Sequence, residues 1–217
     1  MKITWYGHAA FLIEGQGKRI IMDPFSPESG YDPIDEPADI LCMSQEDDRF
    51  HSHAASVRGS PVVINGRTMP DAGVQVDGIT FHVVKVWEDL ARSRNLNGMI
   101  HFRLDGVWLC HMGDLGHPLT DEDIAPIRGV DVLLALAGGP PTIALDALDD
   151  AIARIQPKVV IPMHYQTGKV RLNIKPLNEF LSFFPPAIVE HRESTSIEIT
   201  PQTLPESLRI VVLRHAR

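Results

Sequence analysis

Two cysteines in 217 residues are too few for a disulfide framework. Both, Cys42 and Cys110, sit in apolar strand-like runs, so buried thiols in a reducing compartment are expected rather than a bridge or a ligand pair. No cluster of Lys and Arg stands out, and the formal net charge is −8. Nucleic acid and anionic lipid both need a concentrated positive field, so neither class of partner is expected. No segment approaches the roughly 20 apolar residues that span a bilayer. The opening Met1-Lys2-Ile3-Thr4-Trp5-Tyr6-Gly7-His8 lacks the continuous apolar stretch of a secretory signal. A cytoplasmic protein that binds or converts a small molecule is the expectation, its oligomeric state unspecified.

Against those absences, hydrophobic residues make up 44% of the chain, enough for a sizeable core in one domain. The most informative stretch is His111-Met112-Gly113-Asp114-Leu115-Gly116. It follows Gly106-Val107-Trp108-Leu109-Cys110, a turn and a buried strand. A carboxylate just past a buried strand, with a glycine on each side, is backbone arranged for a close approach. Val159-Val160-Ile161-Pro162-Met163-His164 repeats the device with an imidazole at the strand end. Together they predict a metal or catalytic site on the rim of a sandwich.

The pattern of elements agrees. Residues 9–14 and 18–22 form a hairpin around Gly15-Gln16-Gly17, and residues 99–104 and 107–110 form one around Asp105-Gly106. Phe11-Leu12-Ile13-Glu14-Gly15 matches Phe102-Arg103-Leu104-Asp105-Gly106, and each hairpin returns to a carboxylate, Asp23 or Asp114. This is a weak internal repeat, which predicts one domain over 1–217 built from two similar halves, about 1–98 and 99–217. Ile40-Leu41-Cys42-Met43 and residues 130–136 are further buried strands. Thr120-Asp121-Glu122-Asp123 is a capping-type helix start. Leu145, Leu148, Ile152 and Ile155 share one helical face. Residues 51–58 are expected to start a helix, 174–184 to form an amphipathic one, and 195–214 to supply edge strands. Strands early in each half with helices outside predict an α/β fold, a four-layer αββα sandwich.

At these residues the chain resembles the metallo-β-lactamase superfamily, with its nearest likeness in a small bacterial branch of ascorbate-6-phosphate lactonase-like and related metal-dependent hydrolases. The resemblance is carried, in family order, by Gly7-His8-Ala9-Ala10-Phe11-Leu12-Ile13, Met22-Asp23-Pro24-Phe25, Ala38-Asp39-Ile40-Leu41, His111-Met112-Gly113-Asp114-Leu115-Gly116-His117, Asp131-Val132-Leu133-Leu134, Gly138-Gly139 through Thr142-Ile143, and Pro162-Met163-His164-Tyr165. The family's His-x-His-x-Asp-His signature should follow Ile40-Leu41. Here that segment is Ser44-Gln45-Glu46-Asp47-Asp48-Arg49-Phe50-His51. Gln45 and Asp47 fall on two histidines, Arg49 on the Asp and Phe50 on the last His. Trp87 stands where a further histidine ligand belongs. Only Asp114 and His164 match.

Phe and Trp offer a cation no usable lone pair, and an amide oxygen is a poor zinc ligand, so a two-zinc centre is not expected. Asp47, Asp114 and His164 would form a reduced site for one divalent cation, Zn, Mn or Fe; a one-residue shift of the loop would add His51 or His53. Alternatively, Arg49 would pair with Asp114 and replace the lost cation's charge. His8, Gln45, His51, Trp87 and His111 are candidates for the pocket wall or for support of the ligands, with His111 steadying Asp114 and Glu88-Asp89 beside Trp87. Substrate selectivity is expected in the loops 25–37, 87–97 and 167–171.

Two functions remain open. One is a metal-dependent hydrolase of a small ester, lactone or phosphoester, with Asp114 and His164 on the metal and Arg49 stabilising the oxyanion. The other is a metal-free binding or regulatory protein in which Arg49 and Asp114 have replaced the centre.

Overall fold

Strands form where apolar and β-branched residues alternate or run on between glycine turns. The computed structural model describes residues 1–170 and 172–217. In chain order its strands are β1 (Lys2–Gly7), β2 (Ala10–Gly15), β3 (Lys18–Met22), β4 (Glu36–Pro37), β5 (Ile40–Met43), β6 (Val57–Arg58), β7 (Val62–Asn65) and β8 (Val74–Val76). They continue as β9 (Ile79–Trp87), β10 (Leu96–Leu104), β11 (Val107–His111), β12 (Val132–Leu136), β13 (Val159–Met163), β14 (Val189–His191), β15 (Ser196–Glu198) and β16 (Arg209–Val212). The helices are α1 (Asp121–Ile124), α2 (Leu145–Ile155) and α3 (Leu177–Leu181).

One sheet has six strands in the order β15-β1-β2-β3-β5-β7; the other has eight, β14-β16-β13-β12-β11-β10-β9-β8. Both contribute to one apolar cluster, with Ile3, Phe11, Ile13 and Ile20 from the first and Phe81, Ile100, Phe102 and Leu109 from the second. The alternate residues of the six-stranded sheet, Tyr6, Leu12, Ile21 and Leu41, join Phe25 and Tyr31 in a smaller cluster. Both its faces are therefore covered. β12 and β13 are buried at every position, and α2 adds Leu145, Leu148, Ala151, Ile152 and Ile155 to the main core. The α/β sandwich is thus as the sequence pattern implied, with thin helical layers. Among the described residues no helix is long and apolar enough to cross a membrane.

Pro162 lies in β13, an interior strand, where a missing N–H would normally break a ladder. Val159 and Met163 bond toward β12, with Val159 N–H donating to Asp131 O and Met163 O accepting from Ala137 N–H. The alternate residues face β16, and that pairing stops at Val160. Pro162 therefore stands where the pairing with β16 has already ended, while its neighbours keep their bonds to β12.

Three local expectations need correction. Residues 51–58 form only a 3-10 turn, Ala54–Ser56, followed by β6. The helix expected over 174–184 shrinks to α3, because Pro176 precedes it and Pro185 and Pro186 close the segment. The tail supplies one edge strand, β15, but β16 is interior, between β14 and β13. At α1 the expected capping box is present, Thr120 and Asp123 exchanging side-chain and backbone hydrogen bonds.

β1, β3 and β5 run in one direction, each related to its neighbour through β2 or directly, and β11, β12 and β13 run parallel to one another. His8, Asp23 and Ser44 follow the ends of the first three, while Asp114 and His164 follow β11 and β13. The two sheets meet at this rim through glycine. Gly66 N–H donates to Met43 O and Gly98 N–H to Ser44 O, both at 2.8 Å. A Cβ on Gly98 would fall 2.7 Å from Gly66 Cα. Gly98→Ala is therefore expected to destabilise the protein by about 1–3 kcal/mol. Gly168→Ala, at a position with open space around it, should change stability by less than about 0.5 kcal/mol. Urea unfolding of both variants checks the contrast.

Candidate metal centre

Asp114 lies at the middle of the rim and is nearly fully buried. The residues that flank it explain its placement. Gly113 has φ +64°, and a Cβ there would meet Asn97 Oδ1 at 2.2 Å and Ser44 Cβ at 2.6 Å. A Cβ on Gly116 would strike Glu88 O at 1.6 Å. Asp114 N–H donates to Asn97 Oδ1, and Asn97 Nδ2 donates to Met112 O, so one buried amide fixes both sides of the turn. His111 Nδ1 accepts from Gly113 N–H while Nε2 donates to Ala9 O at 2.8 Å. His111 thus shapes the turn and ties it to the opposite sheet. Both its ring nitrogens are engaged.

Three imidazoles converge on Asp114. His8, His51 and His164 are all buried and each offers a nitrogen within 4.8 Å of the others. His164 Nε2 lies 3.2 Å from Asp114 Oδ1, and His51 Nε2 lies 3.7 Å from Oδ2. Gln45 Nε2 donates to Oδ2 at 2.8 Å. The rings of His8 and His164 have centroids 3.9 Å apart, and His8 O accepts from His164 N–H. His51 is held from behind by Asp23, whose Oδ2 accepts from its Nδ1 at 2.9 Å. Ser44 N–H and Oγ donate to the same carboxylate at 2.7 and 2.5 Å. A carboxylate behind an imidazole fixes its tautomer and leaves Nε2 for the centre, as metal-binding histidines require.

The electrostatics divide the three rings. Burial, reinforced by His164 and His51, holds His8 well below the ordinary histidine range, so it is neutral. Burial pushes His51 in the same direction, but Asp114 and Asp23 outweigh it and raise it to about 9. Burial would raise Asp114, yet His51 and His164 hold it well below the usual carboxylate range. Glu88, half-buried beside Asp114, is raised to about 7 by burial and by the Asp114 charge.

Several polar atoms here have no protein partner. Both ring nitrogens of His8, Nδ1 of His164, Asp114 Oδ1 and Glu88 Oε2 are buried without a hydrogen bond. Buried donors and acceptors are nearly always satisfied. Three imidazoles with a nitrogen each within 4.8 Å of the others, beside a carboxylate oxygen that accepts no hydrogen bond, fit a cation. Two clefts open beside them, one of about 320 Å³ lined by Gln45, Asp47, Arg67 and Glu88, the other of about 190 Å³ lined by Glu88, Asp114, Arg94 and Thr142.

Residues 2–164 match the family described as "Beta-lactamase superfamily domain". The chain belongs to the metallo-β-lactamase superfamily. A "UPF0173 metal-dependent hydrolase" of Alkaliphilus metalliredigens is 30% identical over 197 residues, covering 78% of this chain and 87% of that protein. One of Archaeoglobus fulgidus is 27% identical over 195 residues, 77% and 84% of the two chains. A crystal structure of a candidate Zn-dependent hydrolase of the metallo-β-lactamase superfamily from Thermotoga maritima has a TM-score of 0.79 and 31% identity, covering 98% of this chain and 97% of that one. None of these three carries the lactonase name that the resemblance suggested.

For this superfamily member the degenerate signature sorts out as follows. Asp114, His164, Gln45 and His51 meet at one point, and His8 joins them as a direct neighbour rather than a distant wall. Asp47 does not. It is exposed, and its Oδ1 accepts from Arg49 N–H. Arg49 does not reach Asp114 either. Its guanidinium donates to Glu28 O and lies over the Phe50 ring, exposed to solvent. The cause is a turn in which Asp47 O accepts from both His51 N–H and Ser52 N–H, which puts residue 51 inward and residue 49 outward. Trp87 contributes backbone, its N–H donating to His117 Nε2 and its carbonyl accepting from Gly116 N–H, while its side chain lines neither cleft. Asp23 and Asn97 were not singled out as supports; the twin carboxylates after the two hairpins were the available signal for Asp23. Of the selectivity loops, Arg171 lies outside the described residues.

The charge balance gives a pH test on metal-free protein. His51 rises from an ordinary value near 6.5 to about 9 on folding. Its stabilising contribution is complete below pH 6.5 and is lost as pH rises through 9. The metal-free protein should lose thermal stability between pH 7 and 9.5, and His51→Gln should flatten that slope. Scanning calorimetry across the range measures it.

Proposed function

We propose that this protein is a hydrolase of a small ester, lactone or phosphoester that uses one divalent cation, held by His8, His51 and His164 with Asp114. The observation that carries the proposal is the geometry of three buried imidazoles, each with a nitrogen within 4.8 Å of the others, beside Asp114, with both ring nitrogens of His8 and Asp114 Oδ1 unpartnered. Leaving each unpaired costs about 1–3 kcal/mol, which a cation would offset. Three imidazoles and one carboxylate favour zinc over the harder cations that an Asp-rich set would take. Such an ion lowers the pKa of a bound water to about 7 and so supplies hydroxide near neutrality.

The protein's own groups then have distinct tasks. Asp23 fixes His51 with Nε2 toward the centre. Gln45 holds Asp114 Oδ2 and leaves Oδ1 for the centre. Glu88 lines both clefts beside Asp114 and would face a substrate reaching it. The clefts' volumes suit a small molecule. The relatives named metal-dependent hydrolases support this reading.

One observation favours a metal-free alternative. With His51 raised to about 9, its imidazolium already sets a positive charge against Asp114 at neutral pH. Metal analysis of protein purified without chelators or a metal-binding tag separates the two. Near-stoichiometric metal is expected, falling to background in His8→Ala and His164→Ala, with ester hydrolysis abolished in Asp114→Asn at unchanged circular dichroism. Protein that takes up no cation after incubation with Zn or Mn overturns the hydrolase reading.

A further inference from the structure

A larger cavity, about 630 Å³, shares no residue with the clefts at Asp114. Its floor is set by strand register. His82 on β9 stands directly opposite His101 on β10, and Arg103 on β10 directly opposite Trp108 on β11. These four side chains form one connected surface. The His82 and His101 rings stack with centroids 5.4 Å apart. Trp108 Nε1 donates to His101 Nδ1 at 3.3 Å, and the Arg103 guanidinium lies over the Trp108 ring at 4.5 Å.

The donor inventory of this surface is one-sided. His101 is 6% exposed, and burial together with His82 lowers it to about 4, so it is neutral. With Nδ1 accepting from the indole, its proton sits on Nε2, which remains as a donor. Arg103 makes no ion pair with a carboxylate among the described residues, and stacking on the indole holds its planar fork in place. The one carboxylate in the lining, Asp71, is already paired with Lys85 at 2.9 Å. A concave surface offering a preorganised guanidinium, an imidazole N–H and an aromatic face matches an oxyanion attached to a flat ring.

We propose that this cavity is a second ligand site, for an organic anion whose carboxylate or phosphate pairs with Arg103 and whose aromatic body lies along Trp108 and His82. It is separate from the metal centre and independent of the hydrolase reading.

The test uses the indole N–H signals of the three tryptophans in 1H–15N spectra of the full chain, Trp108 being assigned with Trp108→Phe. Titration with phenyl phosphate or benzoate should shift the Trp108 signal while those of Trp5 and Trp87 stay in place. Arg103→Gln should weaken binding about tenfold, the loss expected for a charged hydrogen-bond partner. Arg103→Lys, which keeps the charge without the fork, should fall between. Metal content should be unchanged in both, since Arg103 is exposed and lines neither cleft at Asp114. Phenol and inorganic phosphate are expected to bind more weakly than phenyl phosphate. No shift at millimolar ligand, an unaltered affinity in Arg103→Gln, or equal binding of inorganic phosphate and phenyl phosphate would each overturn the proposal.

Discussion

A single buried negative charge governs this molecule. A carboxylate taken out of water costs several kcal/mol unless it is paired and hydrogen-bonded. Asp114 is held by an amide N–H from Gln45 and by imidazoles on both sides. Each of those groups needs its own support. His51 needs Asp23, and Asp23 needs Ser44. The turn that presents Asp114 needs Asn97 and two positions without a Cβ. The requirement spreads outward from one carboxylate into both sheets.

Backbone geometry shows where that requirement is met against local preference. His8, Asp23 and His164 have φ of 49°, 45° and 54°, in the left-handed region that residues other than glycine seldom occupy. Each costs about 1–3 kcal/mol and persists only where its surroundings over-determine it. All three follow a strand end, where a left-handed residue turns the chain sharply and aims its side chain across the rim. The surroundings are visible for His8. Its carbonyl accepts from the Trp5 indole and from His164 N–H, and the Tyr31 ring fills the space against Gly7 where a Cβ would otherwise stand. Two strained histidines thereby hold each other through one carbonyl.

The fold was legible because its signals are repeated and local. Buried strands, Gly-bearing hairpin turns and an amphipathic α2 each point to a layered α/β domain without knowledge of distant contacts. Two members of the site, Asp114 and His164, were legible for the same reason, each standing at the end of an apolar strand. His51 was harder. Aligning the degenerate signature position by position places Phe50 inward; a one-residue shift admits His51 or His53, and the turn closed on Asp47 O selects His51. Arg49 failed as a replacement cation for the same one-residue reason. Charge complementarity on paper carried no information about which way the loop would face. His8 lay far from the signature in sequence, and its role depends on a cross-sheet bond between backbone groups 156 residues apart, which no local pattern encodes.

The loss of the histidine signature also constrains what the centre can hold. A carboxylate has about four lone-pair sites, and each hydrogen bond it accepts leaves one fewer for a cation. Asp114 Oδ2 already accepts from the Gln45 amide, which cannot be repelled by a cation without breaking a buried hydrogen bond. The indole at position 87 and the outward Asp47 remove the side chains that would surround a second ion. On the other side of the same carboxylate, Oδ1 accepts no hydrogen bond and lies 3.2 Å from His164 Nε2. The asymmetry is built in by chemistry rather than by distance: one oxygen is committed to an amide N–H and the other is kept available. Where the signature is eroded, Asp47 and Arg49 turn outward, while Asp23 still holds His51 and a strained backbone still presents His8 and His164.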